Sequence, residues 1–140
     1  MPMGDRYTSH GPSWDIDSFL GAIASPEDKA RATHIFDSHE SERSSYYWFG
    51  QRPAGGVFPH PRGLRYAPMS LSLDRYGVLL GQGAWKRYPE IRGDEGFAEL
   101  AAYVGLDHED TASKFVMAEF DVVKLWQVAD ICADRINGVR

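Results

Sequence analysis

The stretch Met69-Ser70-Leu71-Ser72-Leu73-Asp74-Arg75-Tyr76-Gly77-Val78-Leu79-Leu80-Gly81-Gln82 decides the fold. Residues 69–74 alternate apolar and polar without a break, the pattern of a strand buried on one face. Asp74-Arg75-Tyr76-Gly77 is tight-turn chemistry, with Gly77 suited to positive φ, so Val78–Gln82 is expected to return as an antiparallel partner. A hairpin buried on one face needs a second layer against its apolar side. Upstream, Tyr46-Tyr47-Trp48-Phe49 is wholly aromatic and ends at Gly50, which favours a strand. Pro53-Ala54-Gly55-Gly56 reads as a turn and Val57-Phe58 as another short strand. Pro59, Pro61 and Gly63 then break regularity, because proline cannot donate to a sheet ladder.

On either side the hydrophobic period becomes helical. Ile16, Phe19, Leu20 and Ile23 recur at i, i+3, i+4 and i+7, with Ser13 or Asp15 able to cap the helix. Ser25-Pro26-Glu27-Asp28 is a helix start: a side-chain cap, a proline at the first position and two acids at the positive end of the dipole. Ala32, Ile35 and Phe36 form its apolar face, and it is expected to fade near Ser41–Ser45. Asp94 is expected to cap a helix carrying Phe97, Leu100, Ala101 and Val104, with Gly105 as its left-handed stop and Leu106 packing back. The stripe Val122, Leu125, Trp126, Ala129, Cys132, Ala133 and Ile136 predicts a last helix, capped by Asp121 and ended by Asn137-Gly138. Residues 114–120 read either as a strand or as a backward extension of that helix. The strand is preferred, because a helix from Thr111 to Ile136 would far exceed the mean of about 11–12 residues.

The expected fold is α+β, in the order α-α-β-β-β-β-α-(β)-α. A small, mainly antiparallel sheet over about residues 46–82 is packed by N-terminal and C-terminal helices, with Leu71, Leu73, Phe97, Leu100, Leu125 and Trp126 in the core. Residues 1–12, with Pro2, Gly4, Gly11 and Pro12, are expected to be a flexible leader, and residues 13–140 a single globular domain. No run of 18 apolar residues occurs, which argues against a membrane span. Cys132, the single cysteine, lies in an apolar helical pattern. It reads as a buried structural thiol in a reducing compartment, and the expected location is the cytoplasm.

The formal net charge of −5 hides a partition. Residues 50–92 carry Arg52, Arg62, Arg65, Arg75, Lys86, Arg87 and Arg92 against only Asp74 and Glu90, whereas both flanks are acidic. Half of the aromatic residues also fall between Tyr46 and Tyr88. Cations neutralise phosphates or carboxylates, and aromatic faces stack on bases or anchor interfaces. The leading expectation is a small non-enzymatic binding protein that engages an anionic partner, either nucleic acid or an acidic protein surface. Arg52, His60, Arg62, Arg65, Lys86 and Arg87 would be its polar contacts, and Tyr47, Trp85 and Tyr88 its stacking or anchoring residues.

Two rival readings use other residues. In Pro59-His60-Pro61-Arg62 two prolines are expected to hold a histidine in a stiff, exposed loop. His60 could act there as acid or base on an anionic substrate, oriented by Asp74 or Tyr66. Alternatively, acids on the terminal helices, Asp130 and Asp134 among them, could dock onto a basic protein as an inhibitor or antitoxin does. His34, Asp37, His39 and Glu42 are potential metal ligands, but their spacing matches no HExxH or CxxC pattern and reads as a solvated helix end. No metal and no cofactor are expected, since Walker A, GxGxxG and GxSxG signatures are also missing from the sequence.

Overall fold

A computed structural model describes residues 12–42, 44–64, 67–83, 97–107, 109–110 and 112–138. The leader expected over residues 1–12, save Pro12, together with the cap Asp94 and the site candidates Arg65, Tyr66, Trp85, Lys86, Arg87 and Tyr88, lies outside these residues. The described chain is α+β. Its helices are α1 (Ile16–Ala22), α2 (Pro26–Glu40), α3 (Ala98–Tyr103) and α4 (Val122–Gly138). Its strands are β1 (Tyr46–Phe49), β2 (Val57–His60), β3 (Met69–Leu73), β4 (Leu79–Gly83) and β5 (Lys114–Val116). They form one sheet in the order β1-β2-β3-β4-β5, antiparallel at every pairing.

Local chemistry sets these boundaries. Asp15, not Ser13, caps α1, in a reciprocal box with Ser18, while Ser13 bridges to Gln51. The Ser25 side chain accepts from Asp28 N–H at the start of α2. In the β3–β4 turn Gly77 takes φ +79°, and both Tyr76 and Val78 N–H donate to the Asp74 carboxylate. In helix α3 Phe97 precedes the first helical residue, and among the described residues no side chain caps it. Its end is a Schellman motif, with Gly105 at φ +79° and the N–H groups of Leu106 and Gly105 returning to Ala101 and Ala102.

The sheet extends past the expected limit at residue 82, because β5 joins β4 from the C-terminal third. Only Lys114–Val116 is extended; Met117–Glu119 form a 3-10 turn. Asp121 then caps α4 by accepting from Val123 and Lys124 N–H. Gly81 faces Phe115 across the β4–β5 pair. A Cβ at Gly81 would collide with Cζ, Cε2 and Cε1 of the Phe115 ring, so the absence of a side chain there makes room for the aromatic that covers the strand.

Strand alternation and register divide the sheet into two faces. Tyr47, Phe49, Val57, Leu71, Leu79 and Phe115 belong to or pack on one core cluster shared with Phe19, Ile35, Leu100, Leu125 and Ile136 from the helices. Leu73, expected in the core, is only half-buried and packs against that cluster. Tyr46, Trp48, Phe58, Leu80 and Val116 stand outside the cluster, on the opposite face. Asp28 ties the layers together. Its carboxylate is buried, pairs with Arg31 at 2.7 Å and accepts from Leu79 N–H of β4 at 3.1 Å. Cys132 is buried as expected, and burial raises its thiol pKa above the usual range.

Candidate functional site

The β1–β2 hairpin forms one edge of the sheet. On the face turned away from the core, Tyr46 pairs with His60 and Trp48 with Phe58. Trp48 and Phe58 meet edge to face at 5.3 Å between centroids. Tyr46 stacks on His60 at 4.4 Å, with 14° between the planes. These four rings form a two-rung aromatic ladder, the kind of cross-strand pairing that stabilises a hairpin. Two rings of the ladder are left in water: Trp48 is 60% exposed and Tyr46 44%.

Tyr46 is held from three sides. Its hydroxyl donates to Leu64 O at 2.8 Å, and the same carbonyl accepts from His60 Nδ1 at 3.0 Å. Its own carbonyl accepts from His39 Nε2 at 2.9 Å. A carbonyl only accepts, so in both histidines the nitrogen facing it carries the proton. Burial lowers both imidazole pKa values, outweighing the bonds to the carbonyls, which pull them upward. His60 is therefore not on an exposed loop, as its flanking prolines suggested. It ends β2 at 8% exposure, with Pro59 inside the strand and Pro61 opening the 3-10 turn that follows.

Leu64 is set by the turn before it. Arg62 and Gly63 both adopt left-handed backbone, φ +57° and +73°, and Leu64 N–H returns to Pro61 O at 3.1 Å. Glycine accepts that conformation readily, whereas for an arginine it costs roughly 1–2 kcal/mol. The Arg62 side chain is engaged throughout. Its Nε and Nη2 make a forked contact with Asp130 at 3.0 and 3.1 Å. Glu42 lies 3.3 Å and Asp134 3.5 Å from the guanidinium, and Asn137 Nδ2 donates to the Arg62 carbonyl at 3.2 Å. The single Nε proton is directed at Asp130, so Glu42 Oε2 has proximity without a hydrogen bond. Burial, followed by the neighbouring Asp130 carboxyl, pushes the Glu42 pKa up to about 7. Asp130 is held below the usual carboxylate range by the Arg62 and Glu42 hydrogen bonds, which outweigh its own burial.

Sequence reasoning placed the working residues on both sides of this arrangement. Arg62 was an expected contact for an anionic partner, and Asp130 and Asp134 belonged to the rival acidic surface; the fold makes them counter-ions of one another. Arg52 is half-buried, 5.8 Å above the Trp14 ring, with Nε donating to Pro12 O at 3.4 Å. Tyr47 points toward the helices, meeting Phe36 at 5.8 Å and His39 at 4.7 Å, so the exposed aromatics of β1 are its neighbours Tyr46 and Trp48. The Asp74 carboxylate holds the β3–β4 turn. With Val57 paired to Leu71, His60 falls at the end of the sheet away from Asp74, and the two are not brought together. His39, one of the candidate metal ligands, is buried against Tyr47 and Trp126. Among the described residues no group of three or more His, Cys, Asp or Glu could hold a metal ion, and no helix is long and apolar enough to cross a membrane.

Compared with protein-family models, with curated proteins and with solved structures, the chain matches none.

Proposed function

We propose that this is a non-enzymatic binding protein that takes single-stranded nucleic acid on the aromatic edge of its sheet. The observation that carries the reading is the pair Tyr46 and Trp48, exposed at 44% and 60% on the face turned away from the core. Residues i and i+2 of a strand stand roughly 7 Å apart, room for one base on each ring. Such stacking tolerates any base, since every base has a π face. Phe58 and His60 brace the two rings from β2. The phosphate contacts are assigned to Arg52, Arg65, Lys86 and Arg87, with Trp85 and Tyr88 as further stacking residues. Arg62 is left out of this set because its charge is already matched. The single buried cysteine supports the cytoplasm as its place of work.

The test is fluorescence anisotropy of labelled single-stranded oligonucleotides at low and moderate salt. Wild type should bind in a salt-sensitive way. Trp48→Ala should weaken binding about 5- to 150-fold, the equivalent of about 1–3 kcal/mol per stacked base. Absence of binding at low salt, or binding indifferent to both Trp48→Ala and Tyr46→Ala, would overturn the reading. Binding to polyglutamate without binding to oligonucleotide would move it to an acidic protein surface.

A further inference from the structure

We propose that Glu42, Arg62 and Asp130 form a proton-operated clasp that fixes the turn at residues 60–64 and, through the Leu64 carbonyl, the pose of Tyr46. As a regulator of ligand uptake, this clasp rests on the reading of the Tyr46–Trp48 face as the binding surface. The connection is continuous. Asp130 grips the Arg62 guanidinium with two hydrogen bonds. Arg62 and Gly63 turn left-handed to present Leu64, and Leu64 O receives both Tyr46 Oη–H and His60 Nδ1–H. The turn is strained at Arg62, and the grip of Asp130 on the side chain adds to the Leu64 N–H bond to Pro61 O and the Asn137 contact that hold it.

The groups around the clasp come from three elements. Glu42 follows the C-terminus of α2, Arg62 lies in the turn after β2, and Asp130 and Asp134 project from α4. Two histidines are linked to the same turn: His60 through Leu64 O, and His39 through the Tyr46 carbonyl. With Glu42 protonated, its carboxyl can donate to Asp130, and Arg62 faces the charges of Asp130 and Asp134 alone. Once the proton leaves, three carboxylates crowd one guanidinium: Arg62 attracts the new charge, but burial and the repulsion of Asp130 and Asp134 outweigh that attraction. The value of about 7 for Glu42 puts that change near neutrality. The clasp is tight on the acid side and loosens on the alkaline side, releasing the turn and with it Tyr46.

The experiment is a pH titration from 5 to 9 of the 15N-labelled protein, comparing wild type with Glu42→Gln, a substitution that mimics the protonated carboxyl. In parallel, oligonucleotide affinity is measured at both ends of the range. In wild type the amides of residues 60–64 and Tyr46 should titrate together near neutrality, with affinity falling several-fold toward alkaline pH. Glu42→Gln, its fold checked by circular dichroism, should abolish that shared titration and flatten the affinity. Persistence of the same midpoint in Glu42→Gln would assign it to His39 or His60 and overturn the clasp, as would a wild-type turn that does not titrate. A titration removed by Glu42→Gln, with no oligonucleotide bound at any pH, would keep the clasp and overturn the binding reading alone.

Discussion

Through its guanidinium Arg62 meets three carboxylates, those of Glu42, Asp130 and Asp134. Its side chain is 35% exposed, so its ion pairs are partly screened, and their loss is worth less than the several kcal/mol of a fully buried pair. Arg62→Ala is expected to destabilise the protein by about 1–2 kcal/mol in urea denaturation, leaving Asp130 and Glu42 unmatched. Arg62→Gly removes the same charge but relieves the left-handed backbone at φ +57°. It should therefore be milder than Arg62→Ala by roughly 1 kcal/mol. Equal losses from the two variants would mean that the turn is not strained. The sequence shows a cation in a Pro- and Gly-rich segment, which reads as an exposed contact. It cannot show that Glu42, Asp130 and Asp134, distant in the chain, meet that cation. The same limit separates Tyr46 from Tyr47. Four aromatics in a row have no alternation to say which parity faces the core, and a slip of one residue inverts the assignment.

Among the elements, legibility follows how local the determining chemistry is. The β3–β4 hairpin, the Ser25 start of α2, the Gly105 stop of α3 and the Asp121 cap of α4 are all written within a few residues, and all are found as read. Strand β5 is short, and its place beside β4 depends on Phe115 reaching Gly81, a contact between distant segments. Gly81→Ala is expected to lower stability by about 1–3 kcal/mol, because the added methyl has no space beneath the ring. Phe115→Leu should lose less in the Gly81→Ala background than alone, a coupling that a double-mutant cycle reads directly. Additive losses would mean that the two residues do not share the space. Asp28 is the corresponding long-range tie between α2 and β4. Asp28→Ala should cost about 1.5–3 kcal/mol, the range for a hydrogen bond to a charged group, since it leaves Leu79 N–H buried without a partner. A cost below 0.5 kcal/mol, the scale of an ordinary surface substitution, would remove Asp28 from that role.

Across the whole molecule, the charge partition of the sequence becomes a folding pattern. The basic middle meets the acidic ends at the Arg62 cluster, and among the described residues the aromatics of β1 and β2 divide between a core-facing row and the exposed ladder. The electrostatics give stability opposing dependences on pH. The Glu42 pKa is raised from 4.5 to about 7, so its contribution is full below 4.5 and is lost as pH rises through about 7. The pKa values of His39 and His60 are lowered from 6.5, so their contribution is present above 6.5 and is lost as pH falls. In wild type these slopes partly cancel just below pH 6.5, where the two windows overlap. In Glu42→Gln only the histidine slope remains, and the denaturation midpoint should climb with pH over that interval. A Glu42→Gln profile that parallels wild type would contradict the raised Glu42 pKa.

If the Tyr46–Trp48 face receives single-stranded nucleic acid, the indole N–H signals of the protein report it during oligonucleotide titration at low salt. Trp14 and Trp126 are 5% and 4% exposed and serve as internal references. The Trp48 signal should move progressively to saturation while those of Trp14 and Trp126 stay in place. A Trp48 signal that remains fixed at saturating oligonucleotide would contradict it.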